Sequence, residues 1–120
     1  MKKILAEISL GELADKITIL EIKMKKIVDK KSFHILKKEY QSLKAIDLKD
    51  LDLDKYKKLF NELKSINESL WDIENEKRLL EKNSDFSDKF IKVSRDVHFM
   101  NDKRAKVKKE INRSFGSNIE

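Results

Sequence analysis

From Tyr56 to Leu80 the chain places Tyr56, Leu59, Leu63, Ile66, Leu70, Ile73, Lys77 and Leu80 at steps of three and four residues that alternate without a break. Only an α-helix gathers that spacing onto one face, and a face this regular is the seam of a helix packed lengthwise on a partner. A second stripe follows through Phe86, Phe90, Val93, Val97, Met100, Arg104, Val107 and Ile111. Each segment spans about 30 residues, roughly 45 Å of helix at 1.5 Å per residue, and only Asn83-Ser84-Asp85 separates them. A connection so short predicts an antiparallel hairpin.

The N-terminal part repeats the theme on a smaller scale. Ser9-Leu10-Gly11-Glu12 is a capping-box pattern, and behind it Leu10, Leu13, Ile17, Leu20, Met24 and Ile27 form another seam. Ile19 and Ile22 fall outside that seam, so this helix is apolar on more than one side and is either central in the fold or part of a dimer contact. The phase is lost through Val28-Asp29-Lys30-Lys31-Ser32, and a new stripe opens with Phe33, Leu36, Tyr40 and Leu43. Ser32 is the expected N-cap of this second helix. An acidic connection, residues 47–54, leads to the third, capped by Asp52 or Asp54. The expected helices are 9–28, 32–46, 54–82 and 85–115 in one domain, residues 1–120. The fold class is all-α: an elongated antiparallel bundle of about four helices, two helical hairpins with coiled-coil-like packing. The start of helix 1 should lie near the end of helix 4, and the long hairpin, which helix 2 is too short to cover, should project or dimerise.

Composition agrees. The 120 residues include no proline and only Gly11 and Gly116 as glycine punctuation, which starves β-hairpins; Gly116 offers the last helix its stop. With no cysteine there is neither a disulfide framework nor a thiolate metal site. Glu7 and Glu12 interrupt the N-terminal apolar run, so no export signal is expected. No uncharged stretch approaches the roughly 18 residues needed to cross a bilayer, and the expected location is cytoplasmic. The net charge is +6, yet 24 of the 28 basic residues are lysine, whereas phosphate-clamping surfaces favour arginine for its bidentate fork.

Catalytic patterns are missing. There is no glycine-rich phosphate loop, and His34 and His98 stand alone on different helices, so no metal and no cofactor are expected. Lys77 and Arg104 interrupt core positions of their stripes. Lys77 should snorkel out. Arg104 should reach Glu12 or Asp15 in the antiparallel arrangement and fix the register of helix 1 on helix 4; the rival role is an anion-binding arginine. Trp71, the single tryptophan, flanks the helix 3 stripe beside Asp72 and Glu74; it is a core-edge aromatic, or an interface anchor if exposed. Between residues 89 and 113 helix 4 carries nine basic residues against Asp96, Asp102 and Glu110, a solvated face or a phosphate-tracking stripe.

The run Gly11-Glu12-Leu13-Ala14-Asp15-Lys16-Ile17-Thr18-Ile19-Leu20-Glu21-Ile22-Lys23 resembles the opening motif of a small bacterial and phage helical family of unknown function, G-E-L-x-D-K-x-T-I-L-E-x-K. Leu70-Trp71-Asp72-Ile73-Glu74 is similar to its middle motif, and the stretches around Phe90 to Arg95 and Asn101 to Asn112 to its closing one. The resemblance implies a polar and aromatic cluster of Glu12, Asp15, Lys16, Glu21, Trp71, Asp72, Arg95, Asn101, Asp102, Arg104, Lys108 and Asn112, with Thr18, Lys23 and Glu74 among the same motif positions. It also implies a short acidic tail closing on tyrosine after Glu120. It implies no activity.

Heptad seams without catalytic residues predict an uncharacterised helical interaction or structural module rather than an enzyme. Its expected partner is a second copy of itself, as a homo-oligomer, or another protein. One alternative is nucleic-acid or polyanion binding through basic helix 4. The other is a small all-helical enzyme of chorismate-mutase type, which would need Lys16, Arg95, Arg104 and Lys108 to converge on one solvent-filled cavity.

Overall fold

A computed structural model describes residues 2–46, 48 and 50–116. Among them are four α-helices and no strand: α1 (Leu10–Lys26), α2 (Lys30–Lys44), α3 (Leu53–Lys82) and α4 (Asp88–Ser114). Of the expected connection 47–54, Asp47 and Lys49 lie outside the described residues.

Local chemistry sets the helix ends. The Ser9 hydroxyl accepts from the Glu12 N–H at 3.1 Å, as the capping box predicts. The second half of the box gives way to tertiary structure, because the Glu12 carboxylate is drawn to Lys108 on α4. Helix α2 starts two residues earlier than expected, and its cap is Asp29 rather than Ser32. Asp29 Oδ2 accepts both the Ser32 N–H at 3.1 Å and the Ser32 hydroxyl at 2.7 Å, so the shorter side chain serves the cap instead of being it. Asp52 caps α3 by accepting from the Lys55 N–H at 3.2 Å. Helix α4 begins at Asp88, not 85. Ser84 adopts φ 53°, and the Asp85 carboxylate accepts from the Ser87 N–H at 3.1 Å, which keeps the turn between α3 and α4 open for longer. Gly116, with φ 64°, takes the left-handed turn beyond α4.

Helix α1 is central: it packs on α2, α3 and α4, while α3 and α4 also pack on each other and α2 lies against α1 alone. Its two apolar stripes are spent inside the molecule, with Leu13, Ile17, Leu20 and Ile22 all buried, so a contact between copies has to use another surface. Ala14, Leu59, Leu63, Val107 and Ile111 form the core cluster of α1, α3 and α4, with Tyr56, Phe60 and Phe115 against it. Burial, with the Glu21 carboxylate adding to it, pushes the Tyr56 phenol up to about 12. Helix α2 contributes no fully buried residue; its Leu36, Tyr40 and Leu43 stripe is half-buried.

The expected projection is present. Helix α1 ends where Lys26 meets Asp72 at 3.8 Å, and the extents are 50 × 35 × 26 Å. Past that point α3 and α4 have only each other. Val93 is buried between them, Phe86 and Phe90 meet edge-on at 5.3 Å, and Lys77 leaves the seam to lie over the Phe90 ring at 5.9 Å. Leu79, Phe86, Ile91 and Phe99 stay exposed on this arm.

Candidate functional site

The first turn of α1 crosses α4 at very short range. A Cβ on Gly11 would lie 2.5 Å from the Lys108 carbonyl oxygen and 2.8 Å from Asn112 Oδ1, so this glycine is a contact surface rather than punctuation. The close approach lets the Gly11 N–H donate to Asn112 Oδ1 at 2.7 Å, satisfying one of the amides that a helix start leaves without a partner.

One turn on, Asp15 is 1 % exposed and fully engaged. Arg104 grips it with both Nε, at 2.9 Å from Oδ1, and Nη2 on Oδ2, the bidentate geometry that a planar guanidinium is built for. Asn67 Nδ2 donates to Asp15 Oδ1 at 2.9 Å and to Thr18 Oγ1 at 2.8 Å. The Thr18 hydroxyl donates to the Asp15 carbonyl at 2.8 Å. Lys108 bridges the two acids of α1, 2.7 Å from Glu12 and 3.6 Å from Asp15. The register-fixing salt bridge expected of Arg104 is therefore formed, and the arrangement brings Glu12, Asp15, Arg104, Lys108 and Asn112 together. Asn67 was not foreseen: it sits one step off the α3 stripe, beside Ile66.

Burial alone would push the Asp15 carboxyl up. The Arg104 and Asn67 hydrogen bonds and the charges of Arg104 and Lys108 outweigh it and hold the group below the ordinary carboxylate range. A carboxyl depressed in the folded state adds stability above its unfolded value, near 3.9, and loses it as pH falls through the folded value. The urea midpoint should thus stay level from neutrality to about pH 5 and drop below about pH 4. In Asp15→Asn that drop should shrink markedly; an unchanged acid limb would place the titration elsewhere, for instance at Asp29 or Asp85, whose exposed carboxyls are also lowered by hydrogen bonds from Ser32 and Ser87.

Glu21 belongs to a separate knot. Its carboxylate accepts from the Tyr40 hydroxyl at 3.1 Å and from Lys64 Nζ at 2.8 Å, joining α1 to α2 and α3. Burial, then the Glu21 charge, raises the Tyr40 phenol; the Glu21 hydrogen bond raises Lys64.

Beyond Arg104, an open cleft of about 250 Å³ runs between α1, α3 and α4. Ile19, Ile22 and Leu70 form its apolar wall, and Lys23, Trp71, Glu74, Asn101 and Arg104 its polar rim. Residues of all three motif stretches meet there. Trp71 is half-buried and lines this cleft beside Leu70. The remaining expected residues disperse. Lys16 is exposed, 3.9 Å from Glu12; Asp72 is exposed beside Lys26; Asp102 pairs with His98 at 3.6 Å. Arg95 stacks over Phe99 at 5.6 Å on the projecting arm. Lys16, Arg95, Arg104 and Lys108 therefore do not converge on one cavity.

Among the described residues, no group of three or more His, Cys, Asp or Glu could hold a metal ion, and no helix is long and apolar enough to cross a membrane. No curated protein matches the chain, and no solved structure does. The model of a family described as "Family of unknown function (DUF6165)" matches residues 3–120. The chain therefore belongs to that family of unknown function, and what its members do has to be read from the residues described above.

Proposed function

We propose that the protein is a non-enzymatic helical interaction module that self-associates through the outer face of α4. The carrying observation is an apolar groove on the arm that α1 does not reach, lined by Phe90, Ile91, Ser94, Arg95, His98 and Phe99. Ile91 is 55 % and Phe99 49 % exposed, and the Ser94 hydroxyl oxygen is buried there with no hydrogen-bond partner among the described residues. The charges beside the groove favour a second copy as its occupant. Asp88, Arg95, Asp102 and Lys109 recur every seven residues and are all exposed. An antiparallel α4 pair sets Arg95 against Asp102 of the partner subunit and Asp88 against Lys109 of the partner subunit, a self-complementary pattern suited to two-fold symmetry.

The polyanion reading is weaker, because Arg104 and Lys108 of the basic stripe are already engaged by Asp15 and Glu12. The enzyme reading has no cavity in which its four basic residues meet.

Light scattering on the eluting chain, in low and in physiological salt, tests the proposal. The wild type should run as a dimer at tens of micromolar and Phe99→Lys as a monomer with unchanged helicity. Arg95→Asp should weaken the dimer at least about tenfold, since two-fold symmetry counts each change twice, and Arg95→Asp combined with Asp102→Arg should restore it. A wild type that is monomeric throughout removes the self-association.

A further inference from the structure

We infer that the cleft beside Trp71 is a binding site for a small carboxylate that carries one hydrogen-bond donor and an apolar, single-ring body. The observation is a contrast between the polar groups where α1 meets its neighbours and those around the cleft. At Asp15 and at Glu21 each such group is matched by another side chain. Around the cleft they are not. Among the described residues, the Lys23 ammonium, the Trp71 indole N–H and the Asn101 amide have no hydrogen-bond or ion-pair partner. Arg104 spends Nε and Nη2 on Asp15 and keeps Nη1. These donors are open to solvent in the free protein, since Ser94 Oγ is the buried side-chain polar atom without a partner among the described residues; they line one opening, so a ligand that accepts from several of them at once replaces their water with a single set of hydrogen bonds.

The identity of the groups selects the ligand. Lys23, the indole N–H and the spare Arg104 edge are all donors, which a carboxylate satisfies. Glu74 is an acceptor on the same rim, near enough for its charge to act on Arg104, and calls for a donor on the ligand, a hydroxyl or an ammonium. Arg78 also lines the cleft; with Arg104 neutralised by Asp15, Lys23 and Arg78 against Glu74 leave one positive charge over, which fits a monoanion. Ile19, Ile22, Leu70 and the indole face supply the apolar wall, and about 250 Å³ is small for a ligand pocket, room for one ring and a short arm. This site is separate from the outer face of α4, so the two proposals stand or fall independently.

The single tryptophan makes the test direct, because the protein has one indole N–H signal in a nitrogen–proton correlation spectrum. Three probes separate the elements of recognition: phenyllactate carries carboxylate, hydroxyl and ring; phenylpropionate lacks the hydroxyl; phenethyl alcohol lacks the carboxylate. Phenyllactate should move the Trp71 indole signal, together with those of Lys23 and Asn101, saturably in the millimolar range. Phenylpropionate should bind several-fold more weakly, and phenethyl alcohol should leave the signals in place. Lys23→Gln removes a side chain that supports nothing else, so it should fold normally and weaken phenyllactate about tenfold, while Glu74→Gln should abolish the preference over phenylpropionate. An indole signal indifferent to phenyllactate, equal shifts with all three probes, or a Lys23→Gln protein that binds as the wild type does would each overturn the assignment.

Discussion

Asp15→Ala is expected to cost about 3–5 kcal/mol of folding stability, because it leaves the Arg104 guanidinium half-buried without its carboxylate. The loss spreads further than one pair. Asn67 would lose one of its two acceptors, and Lys108 would keep Glu12 alone. For a chain of this size the change corresponds to roughly 10–20 °C in melting temperature, readable by circular dichroism on heating. Removing both partners should be milder. Asp15→Leu with Arg104→Met replaces the ion pair by apolar groups of similar bulk, which is often close to neutral, although Asn67 would remain short of one acceptor and keep recovery partial. A loss below about 1 kcal/mol for Asp15→Ala would mean that water replaces the carboxylate and that Arg104 is less enclosed than its geometry implies.

The second large effect is expected at Gly11. In an ordinary helix, glycine to alanine gains close to 1 kcal/mol from backbone entropy. Here the sign reverses. The new methyl would meet the Lys108 carbonyl oxygen at 2.5 Å, and that oxygen is part of the backbone of α4 and has no rotamer to change. Helix α1 has to lift away, which stretches the Gly11 to Asn112 hydrogen bond and the Glu12 to Lys108 pair together. The net cost should be about 2–3 kcal/mol, in the range of overpacking in a core, measured by urea unfolding. Adding Asn112→Ala clears one obstacle, at 2.8 Å, and leaves the nearer one in place, so the double variant should not recover. A stabilised Gly11→Ala protein would show that the two helices have slack at their crossing.

How much of this was legible in the sequence depends on whether the feature repeats along one helix or arises where three meet. The stripes through Leu59, Leu63 and Leu70 and through Val93, Val107 and Ile111 report their own burial, and the short turn dictates an antiparallel pair. Arg104 could be matched with Asp15 because a charge at a core position needs a partner, and the antiparallel arrangement leaves few candidates. Asn67 was invisible, since only the approach of α1 makes that flank of α3 an interior. Gly11 was read as punctuation because a missing side chain looks the same whether it serves a turn or a contact. The twelve expected polar positions divide by the same rule. Those on the α1 to α4 contact come together, whereas Arg95 and Asp102 are exposed and meet only neighbours on α4 itself, Phe99 and His98.

The central placement of α1 also dictates an order of assembly. Helices α3 and α4 are joined by a short turn and can zip up from neighbouring residues, whereas the links of α1 to α4 bridge 89 residues at Asp15 to Arg104 and 96 at Glu12 to Lys108. Closing such long loops is entropically slow, so the hairpin should form as a scaffold and α1 should dock on it late, with α2 following its only contact. Interactions made after the folding barrier slow escape from the native state without hastening arrival. The destabilisation of Asp15→Ala should accordingly appear in stopped-flow kinetics as faster unfolding with an almost unaltered folding rate, which makes the buried ion pair a latch on the finished molecule and not a guide to its making.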